Sequence, residues 1–183
     1  MEKSKFDAVR YFTDMTDSNK LAKKSGFIPV TISNTDNLEG LMEKYRDNDR
    51  FVAITDTSTG NLASPDGAYG FQKRRAYTVF ILSAYEYGNF DARQTELDLC
   101  RELFHQFVSK IIHDKYQYEE KQMYFDTHAI PNQEIGRYYL SGLTGLHFTL
   151  YTWEPIDLIY ETDQWSEDAG DGGGTSAVGT GVE

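Results

Sequence analysis

Four histidines, one cysteine and 29 acidic side chains are the raw material for chemistry in this chain of 183 residues. The histidines are His105, His113, His128 and His147. His105 and His113 lie eight positions apart, not the four that make an H-x-x-x-H metal pair on one helix face. His147 alternates with Thr149 and Tyr151, which reads as a half-polar strand face rather than a ligand set. Cys100 falls in an apolar helical stripe and reads as a buried structural thiol, not a nucleophile. No G-x-S-x-G elbow occurs. Asp56 and Asp66 flank a small-residue stretch and offer a carboxylate pair for acid–base work, but among so many acids such a pair arises by chance. Tyr87-Gly88-Asn89-Phe90-Asp91 joins an apolar strand to an amphipathic helix, a place where many α/β enzymes hold a phosphate. A phosphate cradle needs several glycines in register, and this turn has one. Asp91 would itself occupy the positive end of the helix dipole. The turn therefore reads as punctuation. No catalytic, cofactor-binding or metal-binding residue is expected, no cofactor is implied, and the chain is not expected to be an enzyme.

The elements that would position any such groups suit one folded domain. Apolar residues make up 39% of the chain and aromatic ones 14%, enough for a sizeable core. A lone cysteine gives no disulfide framework. The opening MEKSKFDAVRYFTDM lacks the apolar stretch of a secretory signal, and no run approaches the ~18 apolar residues of a membrane span. The net charge of −11 is uneven. Residues 161–183 carry six acids and no Lys or Arg, leaving 23 acids against 18 bases in the rest. Such a chain should repel nucleic-acid phosphates. Its one tight basic cluster, Lys73-Arg74-Arg75, reads as a solvated strand end.

Periodicity predicts a helix over 4–15, interrupted at Asp17-Ser18-Asn19, and a short helix over 20–24 that stops at Gly26. FIPVTIS (27–33) reads as a strand, and Asp36 with Glu39 looks like the capping box of a helix carrying Leu38, Leu41, Met42 and Tyr45. RFVAIT (50–55) is strand-like, and residues 58–74 read as one long loop, of a length that is usually functional or mobile. Residues 75–85 are apolar on both faces, as in a central strand. The strongest helix spans 91–113, capped by Asp91 with Gln94, with Leu97, Cys100, Phe104, Phe107, Val108 and Ile111 as its stripe. Strands are expected at 122–130 and 146–153, with further short ones at 136–140 and 156–160, and Gly142 and Gly145 flank a turn or bulge. The fold class is α+β: a mixed or antiparallel sheet of four to six strands, one long helix packed across a face, and short N-terminal helices. Residues 1–165 form a single domain, and the Gly-rich acidic stretch 166–183 is a flexible tail.

The DNLEGLMEKYRD helix, the RFVAIT strand, the strand–turn–helix from RRAYTVF to VSKII and the closing GLTGLHFTLYTWEPIDLIYETDQW resemble, in order and flavour, the tail-completion or tail-terminator proteins of the bacteriophage neck. The likeness covers about residues 5–165 and contains no invariant motif. It implies a structural virion protein, a subunit of a homo-oligomeric ring, hexamer-like or matched to the portal, at the head–tail connection or tail end. Its partners would be copies of itself and neighbouring neck or tail-tube proteins. DNA would pass through without specific binding, no membrane would be involved, and assembly would take place in the host cytoplasm. The 58–74 loop would line or guard the lumen. The family is non-enzymatic, so no site residues carry over. The alternative is a small monomeric ligand-binding or immunity-type module using the 58–74 loop, and a hydrolase with a carboxylate site is a third reading.

Overall fold

A computed structural model describes residues 6–33, 49–63, 71–86, 88–135, 142–156 and 158. The expected helix after Asp36, the short strand at 136–140 and the acidic tail lie outside the described residues. In chain order the elements are α1 (Ala8–Ser18), α2 (Lys20–Ser25), β1 (Ile28–Ile32), β2 (Arg50–Thr55), β3 (Thr59–Ala63), β4 (Phe71–Ala84), α3 (Phe90–Glu119), β5 (Tyr124–Asp126), β6 (Asn132–Glu134) and β7 (Leu143–Ile156). The fold is α+β with a mixed seven-stranded sheet, so the strand count exceeds the four to six expected. The extra strands are short, polar pieces that carry little hydrophobic signal.

β4 and β7 set the sheet. Each has fourteen residues, and they pair antiparallel along their whole length, from Phe71 opposite Ile156 to Ala84 opposite Leu143. Two long edges result, and each is lined by two short strands in succession. β2 pairs with the far half of β4 and β3 with its near half. The step between them is bridged by Thr55, whose hydroxyl donates to the Thr78 carbonyl at 3.1 Å and accepts from the Thr78 N–H at 3.3 Å. On the other edge β6 and β5 pair in turn with β7, and β1 closes the sheet by pairing parallel to β2. The predicted loop at 58–74 is thus largely a β3–β4 hairpin, of which 64–70 lie outside the described residues. β7 runs through Pro155 to Ile156, and most of the short strand expected at 156–160 lies outside the described residues. Gly145 is required within β7: its φ is +143°, and a Cβ there would lie 2.0 Å from the Ile81 carbonyl oxygen.

Strand parity sorts the core into two layers. Val52, Ile54, Val79, Ile81, Leu146 and Phe148 face the helices and pack on Phe12 and Met15 of α1 and on Cys100, Leu103, Phe107 and Ile111 of α3. Phe51, Ala53, Phe80 and Leu82 face the other way and are buried with Val30, Ile32, Ile135 and Leu143. All three described helices contribute to the first layer and none to the second.

Helix boundaries follow local chemistry. Asp7 caps α1 by accepting from the Arg10 N–H at 2.9 Å, and Asn19 both ends α1 and caps α2. Gly26, at φ +73°, closes α2 as expected. The cap of α3 is Asn89, not Asp91: its side-chain oxygen accepts from the Ala92 N–H at 3.0 Å. Asp91 sits in the first turn, where its charge still favours the dipole, and Gln94 donates to Asp98 instead of reaching back to a cap. α3 also continues past His113 to Glu119. It stops where Gln122 takes a left-handed φ of +61° and the Met123 N–H reaches the Tyr118 carbonyl.

Candidate functional surface

Most of the titratable groups whose pKa values shift lie on α3 or are bonded to it. Arg50, at the start of β2, gives two guanidinium bonds to Glu96 on α3 at 2.7 and 2.9 Å and a third to the Ser25 carbonyl. Ser83 of β4 donates to the same carboxylate at 2.5 Å. The Arg50 hydrogen bond, outweighing partial burial, holds the Glu96 carboxyl below the usual range. Nearer the far end of α3, Asp114 is buried beneath Tyr11. Burial opposes its ionisation, but hydrogen bonds from Lys110, His113 and Tyr11 outweigh that and leave its carboxyl lowered. The Tyr11 hydroxyl is pushed up by burial and by that carboxylate. A third tie joins Arg101 of α3 to both oxygens of Glu134 on β6, at 2.7 and 2.9 Å. It explains how the polar strand Asn132–Glu134, exposed along its length, is held at the sheet edge.

The residues singled out by type are dispersed. His105, His113 and His128 are exposed at separate places, and only His113 has a charged partner, Asp114, at 3.1 Å. His147 lies half-buried with its ring 5.3 Å from Phe80, as its alternation with Thr149 and Tyr151 implied, and burial lowers its pKa. Cys100 is fully buried, and burial pushes its thiol to about 12. Asp56 is exposed and accepts a long 3.4 Å bond from Ser33, while Asp66 lies outside the described residues. Among the described residues no group of three His, Cys, Asp or Glu side chains is placed to hold a metal ion, and no helix is long and apolar enough to cross a membrane.

Lys73, Arg74 and Arg75 form a cluster in sequence but not in space. They sit on successive positions of β4, so Arg75 shares the helix-side face with Glu154, 3.4 Å away, while Arg74 points to the opposite face. There its guanidinium lies 3.9 Å above the Tyr151 ring and 5.7 Å from that of Trp153. The register lines up Asn61, Arg74, Trp153 and Tyr124 across four strands, with Thr59, Ala76, Tyr151 and Asp126 in the next row of that face. A shallow hollow of about 290 Å³ opens between β3 and β4, lined by Thr59, Gly60, Asn61, Arg74 and Tyr151 among others. Arg74 makes no ion pair among the described residues, and its Nε is buried without a hydrogen-bond partner. Sequence reading missed this arginine–aromatic surface. Only alternation within β4 and β7 hinted at it, and the cross-strand register that assembles it is invisible in one chain.

A second hollow, of about 300 Å³, lies where α3 meets the segment before β6, between Phe104, His105, Val108 and Ile130. From it an apolar ridge runs along α3 through Val108, Ile112 and Tyr116; Ile112 is 48% and Tyr116 69% exposed. No protein-family model matches the chain, and no curated protein matches it.

Proposed function

We propose that the chain is a structural virion protein, a subunit of a homo-oligomeric ring at the phage neck or tail end, of the tail-terminator or tail-completion type. The observation that carries the reading is the sheet surface centred on Arg74, Tyr151 and Trp153. These are the residue types that dominate contact energy in protein interfaces. They stand on the two longest strands of a sheet whose described helices all pack on the opposite face. The perturbed carboxylates and the cysteine are taken up in holding the fold, which suits a protein that works through its surfaces. The acidic balance of the chain, −11 overall, suits a ring through which DNA slides without sticking. The test is imaging of the assembled particle with a label on this chain, together with co-purification with portal and tail-tube proteins. Label at the head–tail junction or tail end is the expected result. No label on the particle, with normal heads and tails after the gene is deleted, refutes it.

The hollow of about 290 Å³ beside Arg74 favours one other reading, a monomeric ligand module built on the same hairpin. A thermal-shift screen of small anionic and aromatic compounds separates the two. A saturable shift that Arg74→Ala abolishes would favour the module.

A further inference from the structure

We infer that the sheet surface around Arg74 is one half of a head-to-tail contact between copies of this chain, and that the α3 ridge Val108–Ile112–Tyr116 with Glu120 is the other half. The inference rests on the ring reading and deepens it by naming the two surfaces that meet.

A ring needs a heterologous contact, in which two different patches of one subunit complement each other. The two patches have opposite layers behind them. The Arg74–Trp153–Tyr124 row lies on the sheet face away from the described helices, and the ridge lies on the outer side of α3, which packs on the other sheet face. A copy using both patches therefore has a neighbour on each side. Both patches expose large apolar groups: Tyr124 is 43% exposed on the first, Ile112 and Tyr116 more so on the second. Among the described residues the sheet patch carries Arg74 and Asp126 without an ion pair, and the ridge carries Glu120, with Lys121 beside it over the Tyr118 ring. Arg74 supplies the cation. Glu120 supplies the anion, one turn beyond Tyr116 on the same ridge. The neighbouring charges on α3 are already paired within the chain, Lys115 with Glu119 at 3.7 Å and Lys110 and His113 with Asp114. Asp126, in the row beside Arg74, is the one acid of the sheet patch that Glu120 must avoid. An arginine already stacked on aromatic rings has its rotamer held, so meeting a carboxylate costs little further ordering.

The test uses cysteines at exposed positions of the full chain, since Cys100 is buried. Asn61→Cys marks the sheet patch and Ile112→Cys marks the ridge. Each preparation is oxidised alone and mixed with the other at the highest soluble concentration, with and without tail-tube protein, and circular dichroism confirms folding. Cross-linked dimer from the mixture and none from either preparation alone is the expected result, and a chain carrying both cysteines should give a ladder that stops at the ring's subunit number. Arg74→Glu should lower the cross-linked fraction about tenfold, and adding Glu120→Arg should restore it. Dimer from the Asn61→Cys preparation alone would show that the sheet patch meets its own copy and overturn the head-to-tail pairing. If the unaltered chain closes into rings while the mixture stays uncross-linked, the inference fails and the ring reading stands. If the unaltered chain never assembles, alone or with tail-tube protein, both fail.

Discussion

Replacing Phe107 by Ala probes the layer that joins α3 to the sheet. The ring is fully buried among Leu103, Ile111 and the inward residues of the sheet. A buried Phe hides ~150–250 Å². Truncation to a methyl group removes ~120 Å² of that, about 3 kcal/mol at ~25 cal/mol per Å². The surroundings are a strand-paired sheet on one side and a thirty-residue helix on the other, so they collapse poorly and the residual cavity adds about 1 kcal/mol. The total of ~4 kcal/mol corresponds to a fall in Tm of about 8–16 °C for a domain of this size. Phe104, one turn earlier, gives the comparison. It is 9% exposed, leans on Phe148 at 5.2 Å and borders the open hollow with His105 and Val108. Water can enter the space it leaves, so only the transfer loss remains and Phe104→Ala should cost ~2–3 kcal/mol. Urea unfolding followed by far-UV circular dichroism measures both at unchanged m-value. Equal losses, or a loss at Phe107 below ~1 kcal/mol, would refute the two-layer account of the core.

Gly145→Ala should destabilise the fold by more than ~1–3 kcal/mol, because φ +143° is strained for alanine and its Cβ would strike the Ile81 carbonyl; near-neutral unfolding midpoints would contradict this. Glu96→Gln should cost ~1–3 kcal/mol at neutral pH, because the half-buried Arg50 loses a charged partner. The folded pKa of Glu96 is depressed, so its contribution is present above the unfolded carboxylate pKa and is lost as pH falls through the folded value. Urea midpoints of the two chains should converge in acid, and a constant gap would exclude the mechanism. Cys100, its thiol raised to about 12 by burial, should resist labelling in the native state at pH 8 and react only as denaturant opens the core. Stoichiometric labelling within seconds without denaturant would show that α3 opens freely.

What the sequence made legible were the segments whose burial writes a period. The two-sided apolar run around Val79 to Leu82 announces a central strand, and the Leu97–Ile111 stripe announces a helix against it. Its omitted member, Leu103, is fully buried beside them. The failures share a cause: there the partner, not the segment, supplies the stability. β3 hides in Thr-Gly-Asn-Leu-Ala because fourteen residues of β4 offer more edge than β2 can fill. β6 is polar and exposed, and it is held by two bonds from Arg101. The end of α3 moved from His113 to Glu119 because a left-handed Gln122, not a glycine, stops it. No absent residue type would have flagged these. They depend on distant pairings such as Arg74 opposite Trp153.

The same non-locality governs what this protein can do. Glu96 and Asp114 have depressed pKa values because Arg50 binds the first and Lys110, His113 and Tyr11 bind the second; Arg50 fastens α3 to β2, and Tyr11 fastens it to α1. A carboxylate so occupied, with its charged form favoured, is a poor general base for an incoming substrate. Arg74 is in the opposite position. The strand alternation that gives Arg75 a carboxylate leaves Arg74 on rings, held and without an ion pair among the described residues. A cation fixed in place beside Trp153 and Tyr124 can recognise a negatively charged surface at small entropic cost. The long β4–β7 pairing matters for the same reason: it locks the relative positions of Arg74, Tyr151 and Trp153 before any partner arrives. These registers hold a cation in place beside aromatic rings, and the proposed interface rests on that arrangement.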